Sequence, residues 1–125
     1  MCFSATVSFT AAASLSLLGI GTIRQTRSKR EALLASFPCL FALQQSLEGL
    51  VWTGINHSSF SQLTIMATYG FLLFAIFLWL ILSPLSIYWL EKDKKKKQRL
   101  IGLTVLGFLL GTYLLTWTIY HGIEP

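Results

Sequence analysis

Apolar residues run along the chain in four long stretches, separated by short polar segments. The stretches cover about residues 3–23, 32–55, 63–90 and 100–120. Each is long enough to cross a hydrocarbon core about 30 Å thick, which takes about 20 apolar residues in a helix. Only a helix satisfies the backbone hydrogen bonds of an isolated segment in lipid. The pattern therefore predicts an all-α integral membrane bundle of four transmembrane helices, forming one transmembrane domain over residues 1–125.

The basic residues are confined to two of the polar segments. All ten Lys and Arg lie in RQTRSKR at 24–30 and EKDKKKKQR at 91–99, and the net charge is +5. Because basic loops stay on the cytoplasmic side, we predict a protein of the cell inner (plasma) membrane with both of these loops in the cytoplasm and both termini outside. The lysine-rich loop should also attract anionic lipid headgroups. Neither loop interleaves aromatic residues with its basic ones, so nucleic-acid binding is not expected.

Small residues indicate where the helices pack closely. The first stretch lacks a basic n-region, so we expect it to be retained as a helix rather than cleaved as a signal peptide. It carries a stripe of small residues at steps of three or four, namely Ser4, Ser8, Ala12, Ser16 and Gly19. Gly107 and Gly111 have GxxxG spacing in the last stretch. Both features allow backbones to approach closely, and the second favours either internal packing or a homodimer.

The two cysteines are not expected to form a disulfide. On the predicted topology Cys2 lies at the outer end of the first helix, and Cys39 lies in the inner half of the second. At about 1.5 Å per residue they are separated by about 24 Å, whereas a disulfide needs Cα atoms within about 7 Å. Pro38 precedes Cys39 and should kink or loosen the first turns of the second helix.

A polar face on the second helix is the main candidate site. Gln44, Gln45, Glu48 and Trp52 recur at spacings that put them on one face, and Glu48 is the only formally charged residue within the four apolar stretches. An ionised acid at membrane depth costs about 3 kcal/mol on insertion scales, so Glu48 should turn inward and accept a hydrogen bond from a Gln of its own helix or from hydroxyls of the first helix. The face is either a protonatable or cation-binding site, or a structural contact between helices.

Other polar groups expected on the outer side of the membrane extend the candidate set. They are Ser4, Cys2, His57 and His121. Cys, His and Glu are zinc ligands, but their spacings match no metal motif, and each His is typical of the membrane interface. The sequence therefore predicts no metal and no cofactor.

Three segments resemble a known family. They are the opening MCFSATVSF, the stretch FALQQSLEGLVW and the segment LSPLSIYWLE. They are similar to an uncharacterised bacterial family of multi-pass membrane proteins that begin Met-Cys-Phe-Ser-Ala-Thr and carry a Gln-Gln-x-x-Glu-Gly motif. The resemblance marks as signature positions Cys2, Phe3, Ser4, Gln44, Gln45, Glu48, Gly49 and Trp52. It implies no reaction or ligand. Members of that family are longer, so we expect either a short member or a partial bundle completed by another chain.

Three functional classes follow from these features. The first is a membrane protein that binds or transports a small ligand or proton at the Gln-Gln-Glu face, and this class is favoured. The second is a structural or assembly subunit of a membrane complex, as a homo-oligomer or with a partner membrane subunit. An intramembrane enzyme is the least favoured class, because no nucleophile and base stand at a diagnostic spacing and no catalytic residue is predicted.

Overall fold

The chain is mostly helical over the residues that the computed structural model describes, which are 4–56 and 62–122. No strand occurs within those residues. In chain order the elements are α1 (Ala5–Gln25), α2 (Lys29–Ala35), α3 (Phe37–Asn56), α4 (Gln62–Leu73), a π-helical turn (Phe74–Leu78), α5 (Trp79–Leu90) and α6 (Lys94–His121). The prediction of an all-α fold is confirmed over this part of the chain.

Three helical segments of the described chain are long and apolar enough to cross a membrane. They are Ala5–Gln25, Gln62–Leu90 and Lys94–His121, and they correspond to the first, third and fourth predicted spans. Helix α3, within the second predicted span, does not reach the same apolarity, since two glutamines and Glu48 lie in its middle. The count of four transmembrane helices therefore stays a prediction.

The second predicted span, about 32–55, is two helices rather than one. Helix α2 ends at Ala35 and is capped by Ser36, whose hydroxyl donates to the Leu33 carbonyl at 2.7 Å; α3 begins at the residue after Ser36. Pro38 is the second residue of α3, where its missing N–H leaves no hydrogen bond unmade. The break thus lies where the proline was predicted to disturb the helix.

Side-chain caps set the starts of the first and last helices. Ser4 precedes α1, and its hydroxyl accepts from the Val7 N–H at 3.3 Å. Asp93 precedes α6, and its carboxylate accepts from the Lys95 N–H at 2.9 Å. Helix α6 therefore begins at Lys94, about two turns before the predicted span at 100–120, and the lysine run is helical.

The chain divides into two compact units, Met1–Phe71 and Leu72–Pro125. The expectation that residues 1–125 form one transmembrane domain stays a prediction. In the first unit α1 packs along α3 in antiparallel fashion. A Cβ at Gly19 would lie 2.8 Å from the Cys39 backbone nitrogen, and a Cβ at Gly49 would lie 2.8 Å from the Phe9 ring. These glycines allow the helices to approach closely.

The small-residue stripe of α1 is its packing face, as predicted. The buried residues of this helix are Ser8, Ala12 and Gly19. Near its end, the Thr22 hydroxyl donates to the Ala35 carbonyl at 2.8 Å and so joins α1 to α2.

In the second unit α6 packs on α5 and on the π-helical turn. A Cβ at Gly107 would meet the Leu80 carbonyl group, 2.9 Å from its carbon, and a Cβ at Gly111 would lie 3.1 Å from the Ile76 carbonyl oxygen. Pro84 has no N–H to donate to the Leu80 carbonyl, which instead lies against Gly107. The GxxxG motif therefore serves packing within this unit, one of its two predicted roles. The homodimer stays a prediction.

Candidate functional site

The polar face of α3 is turned into the protein. Glu48 is 7% exposed and Gln44 9% exposed, while Gln45 and Trp52 are half-buried. The inward orientation of Glu48 agrees with the prediction. Burial of a carboxyl group at this level is tolerated only with hydrogen-bond partners, because the interior offers no water to replace them.

Gln45 supplies a hydrogen bond to this carboxyl group. Its side-chain Nε2 donates to Glu48 Oε2 at 3.0 Å, across a spacing of three residues on one helix. Side chains three apart are neighbours on a helix surface, so the sequence spacing alone brings this pair together. Of the two predicted sources of a hydrogen bond, the glutamine of the same helix is confirmed.

Within the polar face, Glu48 points away from the Gly49 contact between α3 and α1. Gly49 packs against Phe9 of α1, and successive residues of an α-helix point about 100° apart, so Glu48 points well away from that contact. On another side of α3, Leu47 and Gly54 lie against residues of α4, Gly70 and Thr64 respectively.

The hydroxyl groups of α1 have other roles. Ser4 caps the helix, and Ser16 donates to the Ala12 carbonyl at 2.8 Å. Ser8 is fully buried, and its hydroxyl is the buried side-chain atom of the described chain that has no hydrogen-bond partner. An unsatisfied buried hydroxyl lowers stability by about 1–3 kcal/mol. The sequence identified Ser8 only as a member of the small-residue stripe.

The remaining predicted site residues are not brought to Glu48 by any contact described. His121 lies in the second unit, near the end of α6, where it is exposed and its ring stacks on Trp117 with 3.9 Å between ring centroids. Its Nδ1 lies 3.1 Å from the Trp117 carbonyl oxygen. Cys2 and His57 fall outside the described residues. Over residues 4–56 and 62–122, no group of three or more His, Cys, Asp or Glu side chains could hold a metal ion.

The loop between α5 and α6 forms a second polar region, rich in charge. The backbone N–H groups of Asp93 and Lys92 donate to Glu91 Oε1 at 3.1 and 2.9 Å. These two hydrogen bonds, followed by the attraction of Lys96 and Lys97, hold the pKa of the Glu91 carboxyl group below its usual value. Lys97 also places its Nζ 4.9 Å from the centre of the Tyr88 ring.

A family model covers most of the chain. The model of a family of unknown function, DUF6629, matches residues 1–116. No curated protein and no solved structure matches the chain.

Proposed function

The chain belongs to the DUF6629 family, to which no function is assigned, and we propose that it is a multi-pass protein of the plasma membrane whose Gln-Gln-Glu face on α3 binds a proton or a small cation in support of transport. Both termini lie outside, and the basic loops 24–30 and 91–99 lie in the cytoplasm. The family description names no ligand, so the proposal rests on the chain's own residues.

The exposed apolar surface supports a membrane location. Large hydrophobic side chains stand outward along the helices, with Leu17 74% and Met66 68% exposed. A water-soluble protein rarely carries apolar patches of this extent, whereas lipid tails are a favourable solvent for them. The lysines and arginines, by contrast, are gathered in the two loops.

The observation that carries the proposed site is the hydrogen bond between the half-buried Gln45 and the buried Glu48. A carboxyl group at membrane depth is costly when ionised, by about 3 kcal/mol on insertion scales, and protonation or a bound cation removes that cost. The amide of Gln45 stabilises the carboxylate after the proton leaves, since a hydrogen bond to a charged acceptor is stronger than one to a neutral acceptor. The hydrogen bond from Gln45 therefore suits a Glu48 carboxyl group that gains and loses one proton.

Infrared spectroscopy of the protein in lipid vesicles tests this site. The wild-type protein should show a carboxylic-acid C=O band that disappears once the proton is released. Glu48→Gln should remove the band and any proton flux that the vesicles show, while leaving the assembled size unchanged. The matched control is Glu31→Gln, because Glu31 is an exposed acid in the first turn of α2.

Comparing Glu48→Leu with Glu48→Gln distinguishes the role of Glu48 in packing from its role in proton binding. The change to Leu also removes the hydrogen bond to Gln45, and it should lower stability by up to about 1–2 kcal/mol. A titrating band or pH-dependent flux that survives in Glu48→Gln would reject the proton site. The hydrogen-bonded pair would then serve packing alone, as expected of a structural or assembly subunit.

A further inference from the structure

A groove lies between α5 and α6 within the second unit, with a volume of about 390 Å³. Its walls include Trp79, Ser83 and Pro84 from α5 and Leu103, Leu106 and Leu110 from α6. The volume falls at the low end of the range of about 300–1,000 Å³ typical of ligand sites. Gly107 also borders the groove and has no side chain to fill it. Because most of these side chains are hydrocarbon, the groove suits an apolar chain.

Two basic side chains extend this face of α6 toward the loop. Lys96, Arg99 and Leu103 follow one another at steps of three and four residues, as do Leu103, Leu106 and Leu110. Residues at these spacings share one face of a helix. Lys96 and Arg99 are both exposed. The face therefore combines a cationic end with an apolar groove, which complements a molecule with an anionic head and an apolar tail.

The length of this face matches one leaflet of a bilayer. From Lys96 to Leu110 the helix rises about 21 Å, at about 1.5 Å per residue. Half of a bilayer, with its headgroup region, measures about 20–22 Å. A lipid whose headgroup lies at Lys96 and Arg99 would thus have its acyl chain alongside the whole groove.

We propose that the α5–α6 groove holds one acyl chain of an anionic phospholipid, whose phosphate binds Lys96 and Arg99. The guanidinium group of Arg99 can donate two parallel hydrogen bonds to phosphate oxygens. The site differs from the diffuse attraction of a basic loop for a charged membrane, because it requires these two side chains rather than any two positive charges. It rests on the proposed membrane location and is independent of Glu48.

Native mass spectrometry of the full-length protein, titrated with phosphatidylglycerol or with phosphatidylcholine, tests the headgroup contacts. The double variant K96Q/R99Q should lose the preference for phosphatidylglycerol by about fivefold or more. The matched control K92Q/K94Q removes the same charge from exposed residues of the same loop, because Lys92 precedes α6 and Lys94 lies off the groove face, and it should stay within about twofold of the wild type. Equal losses in the two variants would overturn the site and leave only diffuse attraction.

Leu106→Trp tests the groove itself. The larger side chain should fill the groove and weaken the binding of both lipids by about fivefold, whereas Leu109→Trp, at a similarly exposed position of α6 outside the groove, should leave binding unchanged. A shift from dimer to monomer in Leu106→Trp, with lipid binding unchanged, would assign the groove to a second copy and overturn the proposal. Recovery of the wild-type chain in the soluble fraction would instead reject the proposed membrane location.

Discussion

At the scale of single residues, the closest helix contacts of each unit depend on glycine. Gly19 faces the backbone of Cys39, and Gly107 faces the carbonyl of Leu80. In both cases main-chain atoms are among the nearest neighbours, and main chain cannot rotate out of the way as a side chain can. Gly49 differs, since it faces the ring of Phe9, a partly exposed side chain with other rotamers. Steric demand should therefore be greatest at Gly19 and Gly107.

Gly19→Ala should destabilise the first unit. The new Cβ would lie 2.8 Å from the Cys39 backbone nitrogen, so α1 and α3 must separate, at a cost of about 1–3 kcal/mol. Gly21→Ala is the control in the same helix, because a Cβ there meets nothing within 4 Å and alanine favours the helix by up to about 1 kcal/mol. Thermal unfolding in mild detergent measures both. Equal melting temperatures for the two variants would contradict the close approach at Gly19.

Gly107→Ala should have a similar effect in the second unit. Its Cβ would meet the Leu80 carbonyl group, so we expect α6 to shift from α5 and the melting temperature to fall. Gly102→Ala is the control in the same helix, because its Cβ would meet open space, and it should leave the melting temperature unchanged or raise it. If instead the loss at Gly107 appears only at protein concentrations where a dimer forms, the motif contributes to the dimer rather than to packing within the unit.

At the scale of elements, the connection from α5 to α6 is held by carboxylates that bind backbone N–H groups. Glu91 accepts from Asp93 and Lys92, and Asp93 caps the lysine-rich start of α6. Six basic residues follow within 92–99 and repel one another. The two carboxylates offset part of that repulsion only while they are ionised.

The connection should loosen as the pH falls. The pKa of Glu91 is lowered in the folded chain from an ordinary value of 4.5, so its contribution is complete above that pH and is lost as the pH falls through the lower folded value. Amide hydrogen exchange at Lys92 and Asp93 should accelerate over that window, relative to the intrinsic rate. Glu91→Gln should show little further acceleration as the pH is lowered. An unchanged pH profile in this variant would mean that Glu91 does not hold the loop.

At the scale of the whole molecule, the distribution of charge predicts one orientation in the membrane. Cysteines introduced at Ser28 and at Lys95 lie in the two basic segments, and both should be protected from a membrane-impermeant maleimide added to intact cells. Both should become reactive once the membrane is opened. The background variant replaces Cys2 and Cys39 by serine. Labelling of the cysteine at position 95 from outside would contradict the orientation.

The sequence predicted those features that depend on local pattern. Apolar length located three helices that could span a membrane, and the spacing of Gln45 and Glu48 placed these side chains within reach of each other. The start of α6 at Lys94 was not predicted. The span was located by hydropathy, which identifies residues that suit lipid and excludes lysine, although lysine favours the helical conformation. The N-cap role of Ser4 could have been predicted, because serine commonly caps the start of a helix. Its expected position on the outer side of the membrane led us to group it with Glu48 instead.

Features that depend on contact between distant residues were not predictable in this way. Pro84 is visible in the sequence, but its consequence, a Leu80 carbonyl resting on Gly107, requires the register of two helices. The same register forms the groove between α5 and α6. The π-helical turn at Phe74–Leu78 has no residue pattern that distinguishes it from the apolar helix around it.

The hydrogen bond between Gln45 and Glu48 bears on how the chain enters the membrane during synthesis. Both partners belong to α3, so the bond forms as soon as that helix does, within about 1 μs, while the ribosome adds only about 5–20 residues each second. The acid therefore has a partner before α4 has been made. In the proposed membrane setting, insertion of this polar helix need not wait for the rest of the protein, because the Glu48 carboxyl group enters the membrane already hydrogen-bonded to Gln45.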